Sequence, residues 1–179
     1  MKHIVTMVSL MPLMFVVVAA VAQSSTPKPA PELKQWDVWV GNWMMLGKAK
    51  DSPTEPEYEV SWLMHGRRIL GGFFVEVDRV LKRGGLEQRD LKILSYDPIK
   101  KIYIISGFSS DGTTWVSTAT FDNETSLEHS TITAPDGKLT TCRNSWAFRK
   151  DRMAVSGISE CEENGVRWVS FSVRGTKWR

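Results

Sequence analysis

Two arginines are the side chains best suited to bind a charged group. Arg143 and Arg174 each lie in a segment where aromatic residues are interspersed with Ser and Thr. An arginine that faces the protein interior can bind a ligand carboxylate through two parallel hydrogen bonds. Because arginine is rarely buried without a partner, the alternative is that both side chains point outwards.

Histidine chemistry is limited to His65 and His129 once the first 22 residues are set aside. His129 lies in the middle of a predicted strand, where its imidazole could ligate a haem iron or act as a base. No partner motif lies nearby, so the alternative is a structural histidine held by a hydrogen bond. Two histidines are too few for a three-His zinc site, and we predict neither a metal nor a cofactor.

The sequence contains none of the common enzyme motifs. H-E-x-x-H, G-x-S-x-G, the P-loop and the dinucleotide-binding fingerprint are all absent. Carboxylate pairs for acid–base chemistry meet in space rather than in sequence, so an enzyme stays an alternative. The 23 basic and 20 acidic residues give a net charge of +3, too small to indicate nucleic-acid binding.

The two cysteines, Cys142 and Cys161, lie on predicted strands on either side of Lys150-Asp151-Arg152. If Asp151 and Arg152 form a two-residue turn, the cysteines pair directly across the hairpin and lie within disulfide range. A register slip of one residue would place them on opposite faces. The favoured prediction is a cross-strand disulfide, which an exported compartment would allow to form.

The first 22 residues have the pattern of a cleaved secretory signal. Lys2 and His3 precede an uncharged apolar run, which ends in Ala20-Val21-Ala22. The alternative is an uncleaved anchor, since about 18 apolar residues can span a bilayer. We expect cleavage, an exported protein (periplasmic or extracellular) and no stable membrane anchor afterwards. Residues 23–31, with three prolines, read as a flexible spacer before a single domain at 32–179.

The rest of the chain predicts an all-β fold. Leu33, Trp36 and Val40 indicate a short N-terminal helix that Gly41 ends. Turn residues, among them His65-Gly66, then separate about ten short strands rich in β-branched and aromatic residues. Gly71-Gly72 is expected to bend one strand. We favour a single antiparallel up-and-down barrel, because closure removes exposed sheet edges. An open or sandwiched sheet is the alternative.

Alternating residues in these strands predict what lines the barrel. Trp115 shares a face with Ser117, Ala119 and Phe121, and Trp146 shares one with Cys142, Asn144 and Phe148. Aromatics mixed with small polar residues suit a ligand cavity. The alternative is a packed core in which the polar groups bond across strands.

Gly41-Asn42-Trp43, after a short helix and at the start of the first strand, resembles the G-x-W motif of lipocalins and other calycins. Tyr96-Asp97-Pro98 and the Gly71-Gly72 segment resemble a family of secreted bacterial proteins of unknown function with a lipocalin-like barrel. The resemblance spans most of residues 33 to 173. It implies a calycin-type barrel, with Trp43 closing one end and a small apolar ligand inside, and it carries no established activity. The larger number of strands and the lack of later lipocalin motifs depart from true lipocalins.

Three functions follow as hypotheses. The first is an exported barrel that binds a small, mostly apolar ligand in its interior. The others are an enzyme acting on a small substrate within the barrel, and a solid-core interaction module. The candidate ligand-binding residues are Trp43, Trp62, Trp115, His129, Arg143, Trp146 and Arg174. The sequence does not indicate an oligomeric state.

Overall fold

The computed structural model describes residues 27–178, which form an antiparallel β-barrel preceded by a 3-10 helix. The predicted signal, residues 1–22, lies outside the described residues. The strands, in chain order, are β1 (Gly41–Ala49), β2 (Tyr58–Ile69), β3 (Phe74–Arg83), β4 (Leu86–Asp97), β5 (Ile102–Ser109), β6 (Thr114–Asp122), β7 (Thr125–Thr133), β8 (Leu139–Phe148), β9 (Ala154–Glu163) and β10 (Val166–Trp178).

The barrel is closed, as predicted. Each strand pairs with the next along the chain, and β1 also pairs with β10, from Asn42 opposite Trp178 to Ala49 opposite Phe171. Pairing of the first and last strands satisfies the backbone groups that would otherwise form two open edges.

The N-terminal segment differs in type from the short helix expected from the sequence. Pro31–Trp39 forms a 3-10 helix, with proline at its start. Trp36 is fully buried, donates a 2.9 Å hydrogen bond from its indole nitrogen to the Ser95 carbonyl, and packs edge-on against Tyr103 and Phe121. These contacts insert the helix into one end of the barrel, which we call the helix end.

Two glycine-containing segments have roles other than those predicted. His65-Gly66 was expected to form a turn but lies inside β2. A Cβ atom at Gly66 would lie 2.0 Å from the Trp39 carbonyl oxygen, so this glycine permits close approach of the 3-10 helix. The turn instead falls at Leu70–Gly72, where Gly71 and Gly72 have positive φ angles, rather than as a bend within one strand.

The predicted disulfide is present. Cys142 on β8 pairs with Cys161 on β9 in the sheet register, and their sulfurs are bonded. The connecting segment, residues 149–153, is longer than the expected two-residue turn. The register is nevertheless the expected one, with Phe148 opposite Val155 and Cys142 opposite Cys161. Within residues 27–178, none of the helices has the length and apolar character needed to cross a membrane.

Candidate functional site

The half of the barrel away from the helix end contains a cavity of about 210 Å³. It extends towards the loop between β1 and β2, where exposed Asp51 contributes to its lining, and we call this side the mouth. The helix end is filled by apolar side chains, including Trp36, Trp39 and Trp43. The barrel interior therefore has a packed half and a half with space for a small molecule. Each of the two alternatives drawn from the sequence, a ligand cavity and a packed core, describes one half.

Three of the predicted tryptophans line this cavity: Trp62, Trp115 and Trp146. Two of these rings pack directly against glycines of neighbouring strands. A Cβ atom at Gly107 would lie 1.9 Å from the Trp115 ring, and one at Gly157 would lie 2.2 Å from the Trp146 ring. The missing side chains thus leave the space in which the indoles lie.

A buried ion pair forms part of the cavity wall. Arg79 on β3 donates hydrogen bonds from Nε, at 2.6 Å, and from Nη2 to one carboxylate oxygen of Asp90 on β4. The Asp90 side chain is fully buried, and the Arg79 guanidinium stacks over the Trp62 ring, 4.8 Å from its centre. Gln88 donates to Asp90 and, at 2.7 Å, to Ser109. A buried charge requires such partners, so Asp90 fixes the Arg79 side chain.

Lys92 is the second cation of the cavity wall; it is half-buried and lies two residues beyond Asp90 on the same face of β4. Among the described residues it makes no ion pair within 4.0 Å. Desolvation, followed by the nearby positive charge of Arg79, lowers the pKa of Lys92 to about 8, although Glu128 and Asp90 oppose this shift. The amine therefore exchanges its proton much closer to neutral pH than an exposed lysine does.

Glu128 on β7 is the second acid of the cavity wall and is 5% exposed. Burial raises its pKa above the ordinary value, while Lys92 and a 3.1 Å hydrogen bond from Asn144 oppose the rise. Trp146 lies near enough to favour the ionised carboxylate, but its indole N–H makes no hydrogen bond of ordinary geometry. Because Glu128 is little exposed and receives few hydrogen bonds, its protonated form is more favourable than that of a glutamate in water.

A hydroxyl network continues from Glu128 across the interior. Asn144 also donates to Ser130 Oγ at 3.1 Å, and Ser130 bonds the Ser117 hydroxyl at 2.7 Å. Lys92 and Glu128 line the cavity and also a much smaller void towards the helix end, so they form the floor of the cavity. We refer to Arg79, Asp90, Lys92 and Glu128 as the charged cluster.

Two indole N–H groups in the same wall lack partners. Trp62 and Trp146 are each 4% exposed, and within the described residues neither indole nitrogen has a hydrogen-bond acceptor. An unpaired buried donor costs about 1–3 kcal/mol. The Trp43 indole nitrogen at the packed helix end also lacks an acceptor among the described residues, so both halves of the barrel carry this cost.

Polar groups also surround the mouth. Arg83 bonds both Asp51 and the Tyr58 hydroxyl, the latter at 2.9 Å. Burial, followed by the hydrogen bond to Asp51, raises the pKa of Tyr58 to about 12, so its hydroxyl stays protonated at neutral pH. Tyr58 and Asp51 line the cavity at this mouth, and the Arg83 guanidinium lies over the Tyr58 ring.

The remaining candidate residues lie elsewhere. His129, Arg143 and Arg174 are exposed on the outer wall of the barrel, on the alternate positions of their strands. Trp43 is fully buried at the helix end, beneath Lys177 and against Trp39. This position fits the expected closure of one end by Trp43. A role for any of these residues in ligand binding stays a prediction.

The charged cluster was not identified from the sequence, because its strands reverse the usual alternation. On β4 the inward positions are Asp90, Lys92 and Leu94, while Leu91 and Ile93 lie on the outer positions. Polar residues are normally assigned to the solvent face, which would place Lys92 and Glu128 outside. The available signal was Trp146, whose strand neighbour Asn144 faces inwards and lies opposite Glu128 in the sheet.

No set of three His, Cys, Asp or Glu side chains between residues 27 and 178 is arranged to hold a metal ion.

Residues 28–172 match the model of a family described as "Protein of unknown function (DUF1579)". The chain belongs to this family. The DUF1579 match confirms the resemblance to a family of unknown function, and it covers the whole barrel except the end of β10.

A comparison with curated proteins finds no match to this DUF1579 member. Among solved structures, it resembles the crystal structure of Rv2717c from M. tuberculosis, with a TM-score of 0.66 and 15% sequence identity. The alignment covers 85% of this chain and 100% of the other. At this identity the likeness shows the fold alone.

Proposed function

We propose that this protein is an exported carrier or sensor that binds one small molecule in the barrel cavity. The ligand would have an aromatic or apolar body and one polar group. The observation that carries the proposal is the composition of the cavity wall, in which Trp62, Trp115 and Trp146 surround the charged cluster. This arrangement adds a polar group to the mostly apolar ligand expected from the sequence.

The energetics of the interior support a binding role. A barrel selected for stability alone would fill this volume with apolar side chains, since burying charges costs several kcal/mol per ion before pairing. Here two cations, two carboxylates and two unpaired indole donors are retained around open space. The volume of about 210 Å³ suits a molecule with a single ring rather than a long lipid chain.

Export is part of the proposal. It is supported by the signal pattern of residues 1–22 and by the Cys142–Cys161 disulfide, because such bonds persist in oxidising compartments. The ligand would then be encountered outside the cytoplasm.

The test uses three probes that share one ring: benzoate, benzylamine and benzyl alcohol. Indole N–H resonances of ¹⁵N-labelled protein are followed by NMR as each probe is titrated to millimolar concentration. We expect saturable shifts at Trp62, Trp115 and Trp146 with at least one probe. Trp178, which is 44% exposed on β10, serves as an internal control and should not shift.

A matched pair of variants locates the binding. Ile132→Trp places a large ring in the cavity wall and should abolish the shifts, whereas Ile158→Trp, on the outer wall, should preserve them. The proposal is overturned if no probe gives saturable shifts in the folded wild type, or if Ile132→Trp leaves them unchanged.

A further inference from the structure

Lys92 differs from Arg79, the other basic residue of the cavity wall, in having no ion-pair partner among the described residues. Arg79, directly beside it, is held by Asp90 and by the Trp62 ring. The Lys92 ammonium makes no ion pair within 4.0 Å among the described residues and retains accessible surface on the cavity side. Its amine is thus available to a molecule that enters from the mouth.

Glu128 faces the same floor from β7 and does not close on Lys92 as a salt bridge. The structure therefore places an amine on β4 and a carboxyl group on β7, not joined as an ion pair, at the base of an aromatic-lined cavity. Neutral amines attack carbonyl carbons, and a nearby acid assists the loss of water that follows.

We propose that Lys92 captures small aldehydes or ketones as an imine, with Glu128 as the proton donor. This inference rests on the proposed binding function and names its ligand class as carbonyl compounds with a ring or short apolar group.

The reaction balances without any other reactant. The neutral Lys92 amine forms a C–N bond to the carbonyl carbon as the C=O π bond breaks. One amine proton moves to the carbonyl oxygen, which becomes the hydroxyl of a carbinolamine. Glu128 donates its proton to this hydroxyl, which leaves as water as the C=N bond forms. The products are a protonated imine on Lys92, a Glu128 carboxylate and one water molecule.

The protonation states required are those that the surroundings favour. Burial lowers the pKa of Lys92 to about 8 and raises that of Glu128, so both groups lie closer to their neutral forms than exposed residues do. Arg79 on β3 adds to the shift of Lys92, and Asp90 on its own strand opposes it. Lys92 therefore supplies free amine at a pH where exposed lysines supply almost none.

The test is reductive trapping with benzaldehyde and cyanoborohydride, using protein with its disulfide intact. Peptide mapping by mass spectrometry locates the benzyl group that reduction leaves on a lysine. At pH 7 we expect Lys92 to react faster than the exposed Lys48 and Lys82 by on the order of tenfold or more. The rate at Lys92 should level off above about pH 8, while the rates at exposed lysines keep rising.

Three variants complete the design. Lys92→Met should abolish the fast phase, and Lys82→Met, which alters an exposed lysine on β3, should preserve it. Glu128→Gln, which keeps the shape and the acceptor of the Asn144 hydrogen bond, should slow trapping about tenfold. In Glu128→Gln the benzyl alcohol shifts should be retained while trapping slows. If Glu128 had only a structural role, the substitution would reduce both.

The outcomes separate this inference from the proposed function. If benzyl alcohol shifts the cavity indoles but benzaldehyde labels Lys92 no faster than Lys48, imine capture is wrong and the cavity still binds ligands. If none of the ring probes binds and Lys92 is unlabelled, both proposals fail.

Discussion

Charged side chains inside a small barrel have protonation states that the protein controls. For Lys92, loss of hydration is the largest influence and the Arg79 charge comes next. Both act against the ammonium form, and the carboxylates of Asp90 and Glu128 recover only part of the loss. The residue should consequently titrate within the range of ordinary buffers.

We expect the Lys92 side chain to titrate with a midpoint of about 8, because of burial beside Arg79. The measurement is the ¹³Cε shift of Lys92 as a function of pH, assigned by its disappearance in Lys92→Met. The Lys82 signal, from an exposed lysine on β3, is the assignment control and should persist in Lys92→Met. A Lys92 midpoint above 10 would contradict the prediction.

The same shift has a consequence for stability with a defined sign. Between about pH 8 and 10.5, Lys92 is protonated in the unfolded chain but not in the folded one. The free energy of unfolding therefore rises with pH in this window, because the cost of burying the Lys92 charge disappears. Lys92→Met lacks this dependence. Its free energy of unfolding should exceed that of the wild type at pH 7 by at most about 3 kcal/mol, and the difference should shrink towards pH 10.5.

At the scale of strands, glycines on one strand decide where aromatic rings of the next can lie. Gly157 on β9 pairs with Trp146 on β8, and the indole covers the glycine. The ring also packs edge-on against Trp39 and, in a tilted arrangement, against Phe171. The position of this cavity wall thus depends on a residue that has no side chain.

Gly157→Ala is expected to displace the Trp146 ring, because the new methyl group would lie 2.2 Å from its Cζ3 atom. Overpacking of this kind costs about 1–3 kcal/mol. Urea unfolding and the Trp146 indole resonance measure the two effects. Ser156→Ala, at the neighbouring exposed position, should change stability by less than about 0.5 kcal/mol. An unchanged Trp146 resonance in Gly157→Ala would show that the ring does not need this space.

Strand-level features also explain how much could be predicted from the sequence. The register of β8 and β9 was predictable, because Cys142 and Cys161 lie at matching distances from their turn. The charged cluster was not, because Lys92 and Glu128 occupy inward positions that polarity alone assigns to solvent. They meet only because closure of the barrel brings the inner faces of β4 and β7 to one cavity, which no local pattern encodes. Gly66 was assigned to a turn for a similar reason, since its true contact is with a helix distant in sequence.

For the whole molecule, closure of the barrel depends on one strand pair. Among the ten described strands, β1 and β10 are the partners separated by the whole length of the barrel sequence. Contacts so distant in sequence are entropically expensive to form. At this seam Gly47 lies against β10, where a Cβ atom would be 2.1 Å from the Ser172 carbonyl oxygen and 2.7 Å from the Val173 Cα atom. These neighbours are backbone atoms and cannot rotate away.

Gly47→Ala is therefore expected to open the seam between the first and last strands. We expect a loss of about 3 kcal/mol or more in the free energy of unfolding, since relief requires backbone movement. Hydrogen exchange should show lost protection in both β1 and β10, while the hairpin of β8 and β9 keeps its protection behind the disulfide. Leu46→Ala, at the adjacent outer position, which is 57% exposed, is the matched control and should leave the seam protected. Equal protection of β1 and β10 in both variants would mean that closure tolerates a side chain at position 47. The close approach of the two strands would then not be what stabilises their pairing.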